Sequence, residues 1–220
     1  MTNSCKILAI SGSLRARSSN TDILHAVARL APPTVTVEVF DGLATLPYFN
    51  PDLDADGAAL PASVQAFRAQ VYVADGLLIC SPEYAHGVPG ALKNALDWLV
   101  SGPEILFKPI GLLNASPRSI HAQASLAETL RTMSTVLVPD ASLSLPLDGR
   151  RLDAAAIIDL PELADPLRSS LTALVSATET YRRRRAELIG NPADDGRDMT
   201  IDAGDEKPSL SAARSAPHSI

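Results

Sequence analysis

Apolar positions along the chain alternate between two rhythms. Lys6 to Ile10 is a short, nearly continuous apolar run closed by Gly12, whereas Thr21 to Leu30 places Ile23, Leu24, Val27, Ala28 and Leu30 at helical spacing. The reading is strand, loop, helix. Thr34 to Phe40 alternates Val35, Val37 and Val39 with polar neighbours, as a strand does, and Pro32-Pro33 stops the helix before it. Residues 41–60 carry Pro, Gly and Asp without periodicity and read as loop. Ser63 to Ala74 then suits a second helix, and Gly76 to Cys80 a fully apolar third strand.

Pro89 to Val100 reads as a third helix, with Pro89 at its first position and Leu92, Ala95, Leu96 and Leu99 on one face. Pro109 to Leu113 suits a fourth strand, Ala122 to Met133 a fourth helix and Val136 to Val138 a fifth strand. A last helix runs from about Pro161 to Leu188. It ends in Arg182-Arg183-Arg184-Arg185, which reads as a solvated cap, since cations are favourable at a helix C-terminus. Such β-α alternation predicts an α/β fold: a parallel sheet wound on both faces by right-handed crossovers. Ligands of such sheets bind beyond the carboxyl ends of the strands, which directs attention to loops 11–20, 81–88 and 114–121.

Bulk properties narrow the classes. The 220-residue chain is expected to form one domain over residues 1–190. Residues 191–220, rich in Pro, Gly, Ser, Ala and Asp, read as a disordered tail. A net charge of −6 argues against a nucleic-acid partner; without the tail, 19 acidic residues face 16 basic ones. No apolar run approaches the roughly 20 residues that span a bilayer, and the N-terminal run is too short for a secretory signal, so no membrane association and a cytoplasmic location are expected. Cys5 and Cys80 fall at opposite ends of predicted strands, on the order of 16 Å apart, too far for a disulfide. They read as reduced, buried thiols. No cluster has metal-ligand spacing.

The stretch "ISGSLRARSSNTDIL" runs from a strand end into a helix start, where free N–H groups and the helix dipole favour an anion. Arg15 and Arg17 offer charge, and Ser13, Ser18, Ser19 and Asn20 offer hydrogen bonds. Neither a Walker lysine nor G-x-G-x-x-G is present. The second loop, "SPEYAHGVPGALKNALDWL", supplies an extended Pro82-Glu83-Tyr84 and small residues that let a helix begin close to a flat ligand; Trp98 reads as core.

On "GSLRARSSN" at 12–20, "PEYAHGVPGALKNALDW" at 82–98 and their separation, the chain resembles the NADPH-dependent FMN reductase family over roughly residues 5–180. That family includes quinone, chromate and azo-compound reductases. The resemblance implies a flavodoxin-like five-stranded parallel sheet of order 2-1-3-4-5, bound FMN, and NADPH or NADH as hydride donor. By that similarity Ser13, Arg15, Ser18 and Asn20 hold the FMN phosphate, with Thr21 at the helix start. Pro82, Glu83, Tyr84 and Ala85 line the isoalloxazine edge, and Ser116 belongs to the third loop of the same site.

Many members carry asparagine where this chain has Ala85, and a glycine pair where it reads "NASPRSIHAQAS". Arg118 and His121 are therefore the side chains considered for chemistry in the third loop, with His86 beside the second. The implied cycle is ping-pong, hydride passing from NADPH through FMN to a small-molecule acceptor such as a quinone, flavin, azo dye or metal oxyanion. An FMN-binding electron carrier and a non-catalytic relative are the alternatives. The resemblance further suggests a homodimer or homotetramer, with Tyr48 and Phe49 bordering a neighbour's flavin.

Overall fold

The computed structural model describes residues 4–190 except 56 and 148. The expected tail, 191–220, lies outside them. Strands β1 (Cys5–Ser11), β2 (Val35–Phe40), β3 (Gly76–Cys80), β4 (Pro109–Asn114), β5 (Val136–Leu137) and β6 (Leu143–Ser144) form one sheet. Its helices are α1 (Ser19–Leu30), α2 (Ala62–Val73), α3 (Gly90–Asp97), α4 (Ile120–Thr132), α5 (Ala154–Ile158) and α6 (Pro161–Gly190). The order is β2-β1-β3-β4-β5, all parallel, as the alternation predicted.

β3 and β4 are buried along their whole length, since helices cover both faces of the sheet. On one face Phe67 of α2, Leu92 and Leu96 of α3, Leu126 and Leu130 of α4 and Trp98 belong to one buried cluster. On the other, Ile23, Leu24 and Val27 of α1 meet Leu163, Leu167, Leu171 and Leu174 of α6. Trp98 is fully buried and donates from its indole N–H to the Pro47 carbonyl at 2.8 Å, so its polar atom is matched inside the core.

Three details depart from the sequence-based expectation. Pro89 caps α3 rather than entering it. A short α5 precedes the last helix and is capped by the Asp153 carboxylate, which accepts from the Ala156 N–H at 2.8 Å. The fifth strand position is split: β5 pairs with the start of β4 and β6 with its end, around a 3-10 turn at Pro139–Ala141. Gly111 makes room for that turn, because a Cβ there would lie 2.7 Å from the Ala141 carbonyl oxygen. In the gap Ser142 Oγ accepts from the Leu112 N–H at 3.0 Å, replacing the missing ladder bond.

At the amino ends of the strands the basic run departs from a solvated cap. Arg182 Nε and Nη2 reach both oxygens of Asp75, at 2.7 and 2.5 Å, and Nη2 also donates to the Ser4 carbonyl at 2.8 Å. Arg185 lies over the Tyr72 ring, 4.4 Å from its centroid. Burial alone would raise the Asp75 carboxyl, but the bonds from Arg182 and from the Lys6 N–H outweigh it and hold the group below its usual range. These contacts tie α6 to the start of the sheet.

Beside them Lys108 is fully buried, donates to the Ala74 carbonyl at 2.5 Å and faces the Tyr181 ring at 5.0 Å. Burial, helped by the Arg185 charge and opposed by Asp75 and Glu104, pushes its ammonium down from 10.5 to about 7. Between those values the unfolded chain binds a proton that the folded chain does not. Stability therefore rises with pH in this window and is lost as pH falls through about 7. Lys108→Met removes the titration. In urea unfolding between pH 7 and 9, wild-type stability should climb relative to the variant by up to roughly 1.4 kcal/mol per pH unit. Parallel curves for the two proteins would contradict a neutralised lysine.

Candidate functional site

The sheet register sets the level of the site. Ser11 pairs with Cys80, Cys80 with Leu113, and Leu113 with Leu143, so the loops after β1, β3, β4 and β6 leave from one row across the carboxyl edge. They enclose a cleft of about 930 Å³, within the usual size range for small-molecule sites.

In the first loop Gly12 donates to the Cys80 carbonyl at 2.8 Å, and a Cβ there would lie 2.7 Å from Ser81 Oγ. Ser13 Oγ accepts from the Arg15 N–H at 3.3 Å, folding the loop toward α1. Ser18 caps that helix by backbone geometry alone: its side chain makes no cap bond, and its Oγ is buried without a partner. A buried hydroxyl left unmatched is costly, which marks this point as one where an acceptor or donor is missing. Arg15 and Arg17 line the cleft beside it.

Asn20 and Thr21 are bonded within the framework of the loop. Asn20 Oδ1 accepts from the Cys80 thiol at 3.3 Å, and Thr21 Oγ1 donates to Ser11 Oγ at 2.8 Å. Asn20 still borders the cleft, whereas Thr21 does not. Both cysteines are reduced and buried, and burial raises the thiol of each.

The second loop is a tight hairpin. Tyr84 and Gly87 exchange backbone bonds at 3.2 and 2.9 Å, and between them Ala85 and His86 hold φ of 48° and 61°. Two consecutive left-handed residues with side chains are unusual, since a primed turn favours Asn-Gly. Pro82, Glu83 and the half-exposed Tyr84 face the cleft, while Ala85 at the turn tip does not. The Glu83 carboxylate accepts from the Ala122 N–H at 2.8 Å and so pins this hairpin to the first turn of α4, where a negative charge is favourable.

The third loop is folded on itself. Asn114 Oδ1 accepts from the Ser116 N–H at 2.8 Å, and Ser116 Oγ from the Arg118 N–H at 3.3 Å. Ser116 and Arg118 line the cleft, but His121 does not: its ring stacks on that of His86 at 4.3 Å and 16°. Sequence reading missed Asn114 and the segment that closes the cleft between β6 and α5, with Arg150, Arg151 and Asp153. The doublet Arg150-Arg151 directly after Gly149 was its visible trace.

A family model described as NADPH-dependent FMN reductase matches residues 5–149. The chain belongs to the NADPH-dependent FMN reductase family. It is 36% identical to an NAD(P)H-dependent FMN reductase of Pseudomonas aeruginosa, over 71% of this chain and 89% of that protein. It is also 36% identical to a 2-hydroxy-1,4-benzoquinone reductase of a Burkholderia species, over 68% and 82% respectively. Its fold superposes with a TM-score of 0.64 on the flavoenzyme NAD(P)H:(acceptor) oxidoreductase of Paracoccus denitrificans, at 27% identity over 80% of this chain and 98% of that one. The reductase is thus an FMN-dependent NAD(P)H oxidoreductase, with the flavodoxin-like sheet that its motifs implied.

The family's frequent asparagine at position 85 now has a physical meaning, because asparagine tolerates a left-handed backbone better than alanine does. In this reductase Ala85→Asn should raise stability by about 0.5–1 kcal/mol, read from the denaturant midpoint at unchanged slope. A loss of stability would mean that the turn does not hold a positive φ in solution.

Proposed function

We propose that the reductase passes hydride from NADPH through bound FMN to a quinone, donor and acceptor using the same open face in turn. The observation that carries this reading is the partnerless Ser18 hydroxyl at the start of α1, buried beside Arg15 and Arg17 in the cleft. A phosphate supplies what that point lacks: acceptor oxygens for the hydroxyl, for the first N–H groups of α1 and for a guanidinium. FMN, when bound, supplies the two-electron chemistry.

The chain's own part is position. Ser18, the N–H groups of α1 and Arg15 hold the phosphate. Ser13, Asn20 and Thr21 keep the loop in shape through their bonds to the Arg15 N–H, Cys80 and Ser11. Pro82 to Tyr84 present backbone to the ring edge, kept in place by the Glu83 bond to α4. Ser116 and Arg118 face the same space from the third loop.

Relatives named for quinone reduction, from Burkholderia and Escherichia coli, favour a quinone among the acceptors expected from the resemblance. A homodimer or homotetramer fits the long second connection, where Tyr48 is 91% exposed; Phe49 instead packs edge-on against Trp98 at 5.0 Å. A cytoplasmic location agrees with the described residues holding no helix long and apolar enough to cross a membrane.

The direct test is the visible spectrum of the purified protein with FMN, followed by NADPH without oxygen. Flavin bands that bleach, and return on adding a benzoquinone, are expected; bands that persist would leave only an electron carrier. Ser18→Ala then isolates the phosphate cradle. It should weaken FMN binding about five- to thirtyfold, equivalent to 1–2 kcal/mol, while the apoprotein unfolds at the same or a higher temperature because a buried unmatched hydroxyl is gone. Unchanged FMN affinity would place the phosphate elsewhere.

A further inference from the structure

The cleft carries more positive charge than one phosphate needs. Arg15, Arg17, Arg118, Arg150 and Arg151 all line it, in a chain whose net charge is −6. Arg150 is committed to the loop itself, its Nε and Nη2 donating to the carbonyls of Leu147 and Pro146 at 3.2 and 3.3 Å. The side chains of the other four donate to no acceptor among the described residues.

The acidic residues of the cleft do not balance them. Glu83 and Asp153 are bonded to the N–H groups of Ala122 and Ala156. Asp22 faces His25 and Arg17, so three carboxylates stand against five arginines. Gathering free guanidinium groups around one cavity is unfavourable unless an anion visits it.

Position separates the four into two pairs. Arg15 and Arg17 stand on the loop after β1, beside Ser18. Arg118 and Arg151 stand on the loops after β4 and β6, which leave the sheet side by side where Leu113 pairs with Leu143 and Asn114 with Ser144. β4 lies two strands from β1, so the origins of the two sets are roughly 10 Å apart at the usual strand spacing, wider than one phosphate group. Arg151 also falls beyond the family-matched residues 5–149.

We propose that Arg118 and Arg151 form a second phosphate-monoester seat in the cleft, used by the exchanging ligand rather than by the resident FMN. The inference rests on the function proposed above. A planar guanidinium binds a phosphate monoester through paired hydrogen bonds, so this seat prefers a terminal phosphate to a neutral group in the same place. Two exchanging ligands carry one: NADPH, through its 2′-phosphate, and free FMN arriving as an acceptor.

The experiment uses protein loaded with FMN, its content checked by spectrum, and isothermal titration at low salt, where such contacts are least screened. Adenosine 2′,5′-bisphosphate is compared with 5′-AMP, and free FMN with riboflavin, on wild type, Arg151→Ala, the double variant Arg118→Ala/Arg151→Ala and the exposed control Arg131→Ala. The bisphosphate should bind wild type at least about tenfold more tightly than 5′-AMP, the scale of one charge-assisted bond. That preference should fall about tenfold in the double variant and persist in Arg131→Ala.

If free FMN over riboflavin shows the preference and the same variants erase it, the seat takes the acceptor's phosphate, and the proposal also stands. Equal affinities in wild type and double variant for all four compounds overturn it. So does loss of resident FMN from the double variant, which would put both arginines in the first cradle. A wild type that never loads FMN overturns the functional reading instead. The bisphosphate titration on that apoprotein still decides whether the seat exists.

Discussion

The hydrogen bond from Gly12 to the Cys80 carbonyl, at 2.8 Å, is the last rung between β1 and β3, and the cleft depends on it. Beyond it the first loop must turn toward α1 while the second begins its hairpin, and both pass within contact of each other. Only a residue without a Cβ fits, because Ser81 Oγ occupies the space. This contact fixes the distance between the segment that carries Ser18 and the segment that carries Tyr84. A larger residue at position 12 would separate the anion-binding loop from the loop that receives a flat ring.

The site is thus built by the sheet rather than by side chains chosen one at a time. The aligned strand ends bring four loops to one level, and local bonds finish each loop: Ser13 to the Arg15 N–H, Asn114 to the Ser116 N–H, Glu83 to α4. At the other pole, Asp75, Arg182 and Lys108 hold the long last helix against the starts of the strands. Polar groups are buried there to fasten elements, whereas in the cleft charge is left open for a ligand.

Much of this was legible in the sequence because it rests on periodicity and on short motifs. The apolar runs of β1, β3 and β4 and the helical spacing of α1 need no tertiary information, and the two long motifs carry the first and second loops almost whole. What stayed hidden depends on residues far apart in the chain. The split of the fifth strand position follows from Gly111 meeting Ala141, not from any local signal. Asp75 and Arg182 find each other across 107 positions, so the basic run looked like a helix cap. Thr21, just after the first motif, and Ala85, within the second, do not line the cleft, a distinction that only the fold of each loop makes. Arg150 and Arg151 belong to no recognisable motif at all.

The broken edge beside β4 has a consequence for how the chain behaves in a crowded solution. A sheet edge that presents a long, regular row of unpaired backbone groups invites another chain to add a strand. Here the outer side of β4 is met by two two-residue strands with a proline-led turn between them, and a serine hydroxyl fills the gap in the ladder. The opposite edge, β2, alternates its valines with the exposed Thr36 and Glu38. Neither margin offers a flat apolar template of useful length, so the interruption that costs the sheet part of a strand also discourages aggregation through its edges.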